Sequence, residues 1–111
     1  MNNLIVVYGT LKRGYCSDLT HWHVDNRKIK DIILKGWDMY TNGWYPNCIP
    51  GDGMIQAELW EVNPECIREL DQYEGHPTLF KRTPVDVEGD TAEMYVFQHT
   101  PGGKKIESGR F

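Results

Sequence analysis

The sequence predicts an α+β domain in which short strands roll into a closed or nearly closed β-barrel beside one clear helix. Three observations carry this reading. The segment LIVVYG near the start is a continuous apolar run, several later segments are short and partly alternating, and a single stretch carries complete helix punctuation. Many short strands leave exposed edges unless the sheet closes on itself, so closure is the economical arrangement. A chain of 111 residues supplies one domain, residues 1–111, and at this size roughly 65% of the unfolded surface can be buried around one core.

Taken in order, LIVVYG (4–9) reads as a strand buried on both faces. Residues 16–28 show weak periodicity and leave room for one further short helix. KDIIL (30–34), WDMYT (37–41), MIQAELWEV (54–62), TPVDVE (83–88) and AEMYVF (92–97) read as short strands separated by Gly, Pro and Asn. In TPVDVE, Thr83, Val85 and Val87 share one face. NPECIRELDQYEG (63–75) reads differently: Asn63 caps a helix, Pro64 takes its first position, Ile67, Leu70 and Tyr73 recur at three-residue spacing, and Gly75 closes it.

Composition narrows the possible functions. Hydrophobic residues at 40% and charged residues at 25% are ordinary for a soluble domain, and a net charge of -4 offers no general attraction for nucleic acid or anionic membrane. No apolar stretch is long enough to span a bilayer, and MNNLIVV lacks the layout of a signal peptide, so a cytoplasmic location is expected. Cys16, Cys48 and Cys66 are too scattered for a disulfide framework and are expected to be free thiols. His21 and His23 lie in a polar segment with no third ligand near them in sequence, so no metal site is expected there.

Two places carry candidate chemistry. Gly9 and Gly14 have the spacing of a phosphate-binding loop, but Tyr15 and Cys16 stand where that motif needs Lys and then Ser or Thr. The alternatives are a plain strand-ending turn, or a concave site in which the backbone N–H groups of Gly9, Thr10 and Leu11 bind a carboxylate or a developing oxyanion. Lys12 and Arg13 are expected to face solvent. At the other place Glu74 ends the helix, where the helix dipole opposes ionisation and raises its pKa toward that of a proton carrier. Asp71, three residues earlier, competes for the role, and both compete with the plain reading of a solvated carboxylate.

VYGTLKRG followed at long separation by LDQYEGHPTLFKRTPVDV resembles the gamma-glutamylcyclotransferase-like (AIG2-like) family, and within it the gamma-glutamylamine cyclotransferases. WYPNCIPGDGMIQAELWEVN and AEMYVF resemble the family's connecting segments, so the likeness spans nearly the whole chain. The resemblance implies a small mixed β-barrel of about six to seven strands with one or two short flanking helices. It also implies a cofactor-independent enzyme acting on a small-molecule γ-glutamyl amide, most simply a γ-glutamylamine. The α-amine of the glutamyl group attacks its own γ-carbonyl, giving 5-oxoproline and a free amine. By position, Glu74 matches the catalytic glutamate, Tyr8, Gly9, Thr10 and Leu11 match the substrate-binding loop, and Tyr45 and Tyr95 match pocket-lining residues, while Asp71 matches a motif position without the proton-transfer role.

Departures from the pattern occur at Cys16, Ser17 and Asp18 and at Ser108–Phe111, both expected to shape a pocket wall. Arg110, standing for an acidic residue, is expected to pair with a substrate carboxylate or with Glu74. The opposing reading is a non-catalytic binding or interaction module on the same barrel, since a fold alone does not carry chemistry. The leaving amine and the oligomeric state are not written in the sequence.

Overall fold

The computed structural model describes residues 3–111. Strand β1 (Leu4–Val7) leads through a short 3-10 turn (Leu19–His21) to β2 (Arg27–Thr41) and β3 (Pro46–Glu61), then helix α1 (Pro64–Glu74), β4 (Phe80–Val87), β5 (Asp90–Phe97) and β6 (Lys104–Lys105). The strands form one sheet in the order β4-β5-β1-β3-β2-β6, with β1 parallel to β5 and every other pairing antiparallel. This mixed sheet curls into a half-barrel, as the strand pattern and the family resemblance lead one to expect. No helix among the described residues is long and apolar enough to cross a membrane.

Strand β1 is buried on both faces because successive side chains enter different clusters. Leu4, Val6 and Tyr8 join residues of β2, β3, β4 and β5 on the concave face, whereas Ile5 and Val7 join Trp60, Leu11, Leu19 and the helix residues Cys66 and Leu70. Helix α1 thus covers the convex face beside β1.

The helix has the termini its sequence announces. Asn63 Oδ1 accepts from the N–H of Glu65 at 2.8 Å, Pro64 occupies the first turn, and Gly75 ends the helix at φ 68°, where a side chain would be strained. Of the apolar stripe, Leu70 is buried and Ile67 packs at the cluster's edge, while Tyr73 turns outward and meets Trp22 edge-on at 5.2 Å.

The segments KDIIL and WDMYT are one strand and not two. β2 continues through Gly36 with a register shift between Lys35 and Trp37 against β3, and Gly36 at φ +92° absorbs the bulge. A glycine that looks like a break is here a bend inside a long hairpin. Residues 16–26 contribute only the single 3-10 turn, capped by Asp18, before β2 starts at Arg27.

Candidate active site

A cavity of about 410 Å³ opens where β1 ends, between the glycine turn, the start of β3 and the last turn of α1. The residues nominated from sequence meet there. Tyr8, Gly9, Thr10 and Leu11 line one side, Glu74 and Tyr95 the next, and Tyr45 the mouth.

The turn is held by its own later half. The N–H groups of Lys12, Tyr15, Ser17, Asp18 and Leu19 donate to the carbonyls of Gly9, Lys12, Thr10, Tyr15 and Leu11, respectively. The N–H of Arg13 donates to Glu58 Oε1 at 2.8 Å and that of Gly14 to Asp18 Oδ2 at 2.6 Å. Among the described residues no acceptor meets the N–H groups of Gly9, Thr10 or Leu11. Gly9 and Thr10 are half-buried and all three residues line the cavity, so their unpaired amides are left to solvent or to a ligand. Gly9 has a steric reason as well: a Cβ there would lie 2.7 Å from Pro46 Cγ and 2.8 Å from Cδ.

Glu74, the last residue of α1, contrasts with Asp71. Asp71 accepts from Tyr95 OH at 2.7 Å and from Arg82 Nε and Nη2 at 3.1 and 3.2 Å, and Arg82 also donates to Glu93 at 2.9 Å. Glu74 has no hydrogen bond or ion pair among the described residues, and burial pushes its pKa up to about 7. Partial desolvation on burial is the cause. A carboxyl in that condition can accept and return a proton near neutral pH.

Two of the three nominated tyrosines, Tyr8 and Tyr95, have engaged hydroxyls. Tyr8 OH donates to the Tyr95 carbonyl at 2.6 Å, and Tyr95 OH is tied to Asp71, so both rings are fixed as cavity wall. Burial pushes both phenols above their ordinary pKa, which keeps them protonated.

Several sequence expectations are corrected. Lys12 is buried, not solvated: its Nζ donates to the Phe111 carbonyl oxygen at 2.8 Å and lies 4.4 Å from the Tyr15 ring centroid. Tyr15 OH donates to the same oxygen at 2.8 Å. Residues 108–111 therefore brace the turn from behind and do not line the cavity; Arg110 is exposed and pairs with neither Glu74 nor the cavity wall. Of the other departures, Cys16 does line the cavity, Ser17 meets Tyr73 OH at 3.1 Å, and Asp18 holds the turn. Burial would raise the Asp18 pKa, but the N–H groups of Gly14 and Thr20 outweigh it and hold the carboxyl below its ordinary range. His23 does have companions, supplied by α1: its Nε2 meets Glu69 Oε1 at 2.5 Å, close to Cys66, whereas His21 stands apart.

Glu58 escaped the sequence reading. Its buried carboxylate accepts from the Arg13 N–H and from Trp60 Nε1 at 3.0 Å and pairs with Lys28 at 3.3 Å, anchoring the turn to β3. The available signal was an acidic residue between buried apolar neighbours in AELW.

With this geometry in view, comparison with known proteins is informative. The family model described as gamma-glutamyl cyclotransferase, AIG2-like, matches residues 5–111. The gamma-glutamylcyclotransferase family protein YtfP of Escherichia coli is 29% identical over 106 residues, covering 95% of this chain and 92% of its own. The crystal structure of an uncharacterized protein from Pyrococcus horikoshii superposes with a TM-score of 0.84 at 26% identity, covering 98% of this chain and 89% of that one. An AIG2-like protein of Mus musculus, at 24% identity and a TM-score of 0.69 over 88% of this chain and 77% of that one, shares the fold.

Proposed function

Because the chain belongs to the gamma-glutamyl cyclotransferase, AIG2-like family, we propose that it converts a γ-glutamyl amide, a γ-glutamylamine in particular, to 5-oxoproline and the free amine. The observation that carries this reading is the pairing, in one cavity, of the unpartnered Glu74 carboxyl with the unpartnered N–H groups of Gly9, Thr10 and Leu11.

The chemistry needs little else. The substrate's α-ammonium is not a nucleophile until it loses a proton, and ionised Glu74 takes it. The freed α-amine attacks its own γ-carbonyl, the new C–N bond closes a five-membered ring, and the amide C–N bond breaks as the departing nitrogen receives the proton from Glu74. Because the attack is intramolecular, the protein's contribution is a ring-closing pose and stabilisation of negative charge on oxygen. The turn amides serve the glutamyl carboxylate or the reacting carbonyl, and the fixed rings of Tyr8 and Tyr95 shape the pocket around the glutamyl chain.

Incubation with γ-glutamylamines, with 5-oxoproline followed as product, tests this proposal. Formation of 5-oxoproline that stops when the α-amine is acetylated supports cyclisation. Turnover of the acetylated compound means hydrolysis by water and overturns the mechanism. Thermal stabilisation by γ-glutamyl compounds without any product favours a binding module instead.

A further inference from the structure

The lining of the cavity is divided by chemistry. Glu74 and the turn amides supply its charge and its N–H donors, while Trp44, Tyr45, Tyr73 and Leu79 are its exposed apolar side chains. Trp44 is 82% exposed, Tyr73 52% and Tyr45 41%, and these are the exposed aromatic residues of the described chain. All of them line this one cavity. Apolar surface gathered at one concave place marks a binding site. The Trp44 rim is also a built structure. Asn42 Oδ1 accepts from the N–H groups of Trp44 and Tyr45 at 2.9 and 3.3 Å, and Thr41 Oγ1 donates to the Tyr45 carbonyl at 3.1 Å.

Ionic partners are missing from the same lining. Glu74 is the one Asp, Glu, Lys, Arg or His side chain among the described residues that line the cavity. The nearest lysine in the turn, Lys12, is committed to Phe111 and Tyr15.

We propose that this site selects γ-glutamyl amides whose amine half is apolar, alkyl or aryl, and discriminates against amines that carry a carboxylate or a second ammonium. The proposal rests on the cyclotransferase reading and names its substrate class. A carboxylate on the amine half would lose water against the apolar rim with no cation to receive it. A second ammonium would find ring faces but no second carboxylate, since Glu74 is engaged with the reacting nitrogen. An alkyl chain or phenyl ring loses only unfavourable contact with water.

Three γ-glutamyl amides test this, made from hexylamine, 6-aminohexanoate and 1,6-diaminohexane. They share the same leaving nitrogen and chain and differ only at the far end. The hexylamide is expected to exceed each of the others in kcat/KM by about tenfold or more. Trp44→Ala, with wild-type circular dichroism and Tm, is expected to bring those ratios within roughly threefold of one another. Equal or faster 5-oxoproline release from a charged-end amide overturns the proposal and leaves the cyclotransferase reading intact. Ratios unchanged in Trp44→Ala overturn the assignment of selectivity to the rim. No 5-oxoproline from any of the three overturns both readings together.

Discussion

Asp71 and Glu74 stand one turn apart on the same helix, yet their surroundings are opposite. Asp71 is enclosed by an arginine and a tyrosine hydroxyl and serves as a fixed point to which β4 and β5 are tied. Glu74 is half-buried and, among the described residues, has received no hydrogen-bond or ion-pair partner in exchange for the water it gave up. A carboxylate with strong donors is fixed in place, whereas one left unpaired and half-buried, its pKa raised by desolvation, exchanges its proton near neutrality. Rigidity and proton transfer are thus assigned to neighbouring residues of the same chemical type. That division is open to direct attack at either carboxylate, and at the turn facing them.

The largest effect is expected at Glu74. Glu74→Gln should keep the fold and lose at least ~10²-fold in turnover, as removal of a general base usually does. Steady-state kinetics on the best γ-glutamyl amide checks this, and a variant with near wild-type turnover would remove Glu74 from the mechanism. In the wild type, kcat/KM should rise with pH through an ionisation near the raised Glu74 value of about 7. Stability should move the other way. A carboxyl whose pKa is higher folded than unfolded contributes stability at low pH that is lost as pH rises through the folded value. Glu74→Gln should therefore match the wild type in Tm near pH 4 and exceed it near pH 8.

Next in size is Gly9. Gly9→Ala pushes Pro46 away from the turn, since the added Cβ falls 2.7 Å from its ring. A loss of roughly tenfold or more in kcat/KM is expected, with about 1–3 kcal/mol of stability, the usual cost of overpacking. Denaturant titration and kinetics on one preparation separate the two effects. Full activity would mean the turn amides do not need their present position.

Asp71→Asn should reverse the Glu74 pattern. Losing the charge-assisted bonds to Arg82 and Tyr95 is expected to cost about 1.5–3 kcal/mol, measurable as a lower denaturation midpoint, with turnover falling less than in Glu74→Gln. A larger loss of turnover than of stability would make Asp71 the better candidate for proton transfer. The smallest effect is expected at Lys12. Lys12→Met keeps the buried volume but drops the bond to Phe111, costing about 1–2 kcal/mol of stability. Its effect on kcat/KM should be modest, because the ammonium faces away from the cavity.

Much of this arrangement can be read from the chain. LIVVYG announces a strand buried twice over, and NPECIRELDQYEG writes out its cap, its proline and its terminating glycine; the helix has those termini, and the strand starts at Leu4 but ends at Val7, two residues before Gly9. Such signals are local: a cap, a φ value or a run of apolar side chains acts over a few residues and needs no knowledge of the rest of the fold. The position of Glu74 at a helix end was legible for the same reason.

What was not legible is the partner of each polar group. Lys12 looked like a solvated loop lysine because its acceptor, the carbonyl of Phe111, lies 99 positions away. Gly36 looked like a strand break because nothing in its neighbourhood shows that β3 runs alongside to accept a bulge. The partial burial of Glu74 in a cavity it shares with Phe80 and Tyr95, and the clasp on Asp71, depend on β4 and β5 returning past α1. Local sequence determined the strand, the helix and the residue types at their ends. The tertiary packing determined which carboxyl is paired, which is left half-buried without a partner and which amides remain open, because pairing and desolvation depend on segments that meet only once the chain has folded.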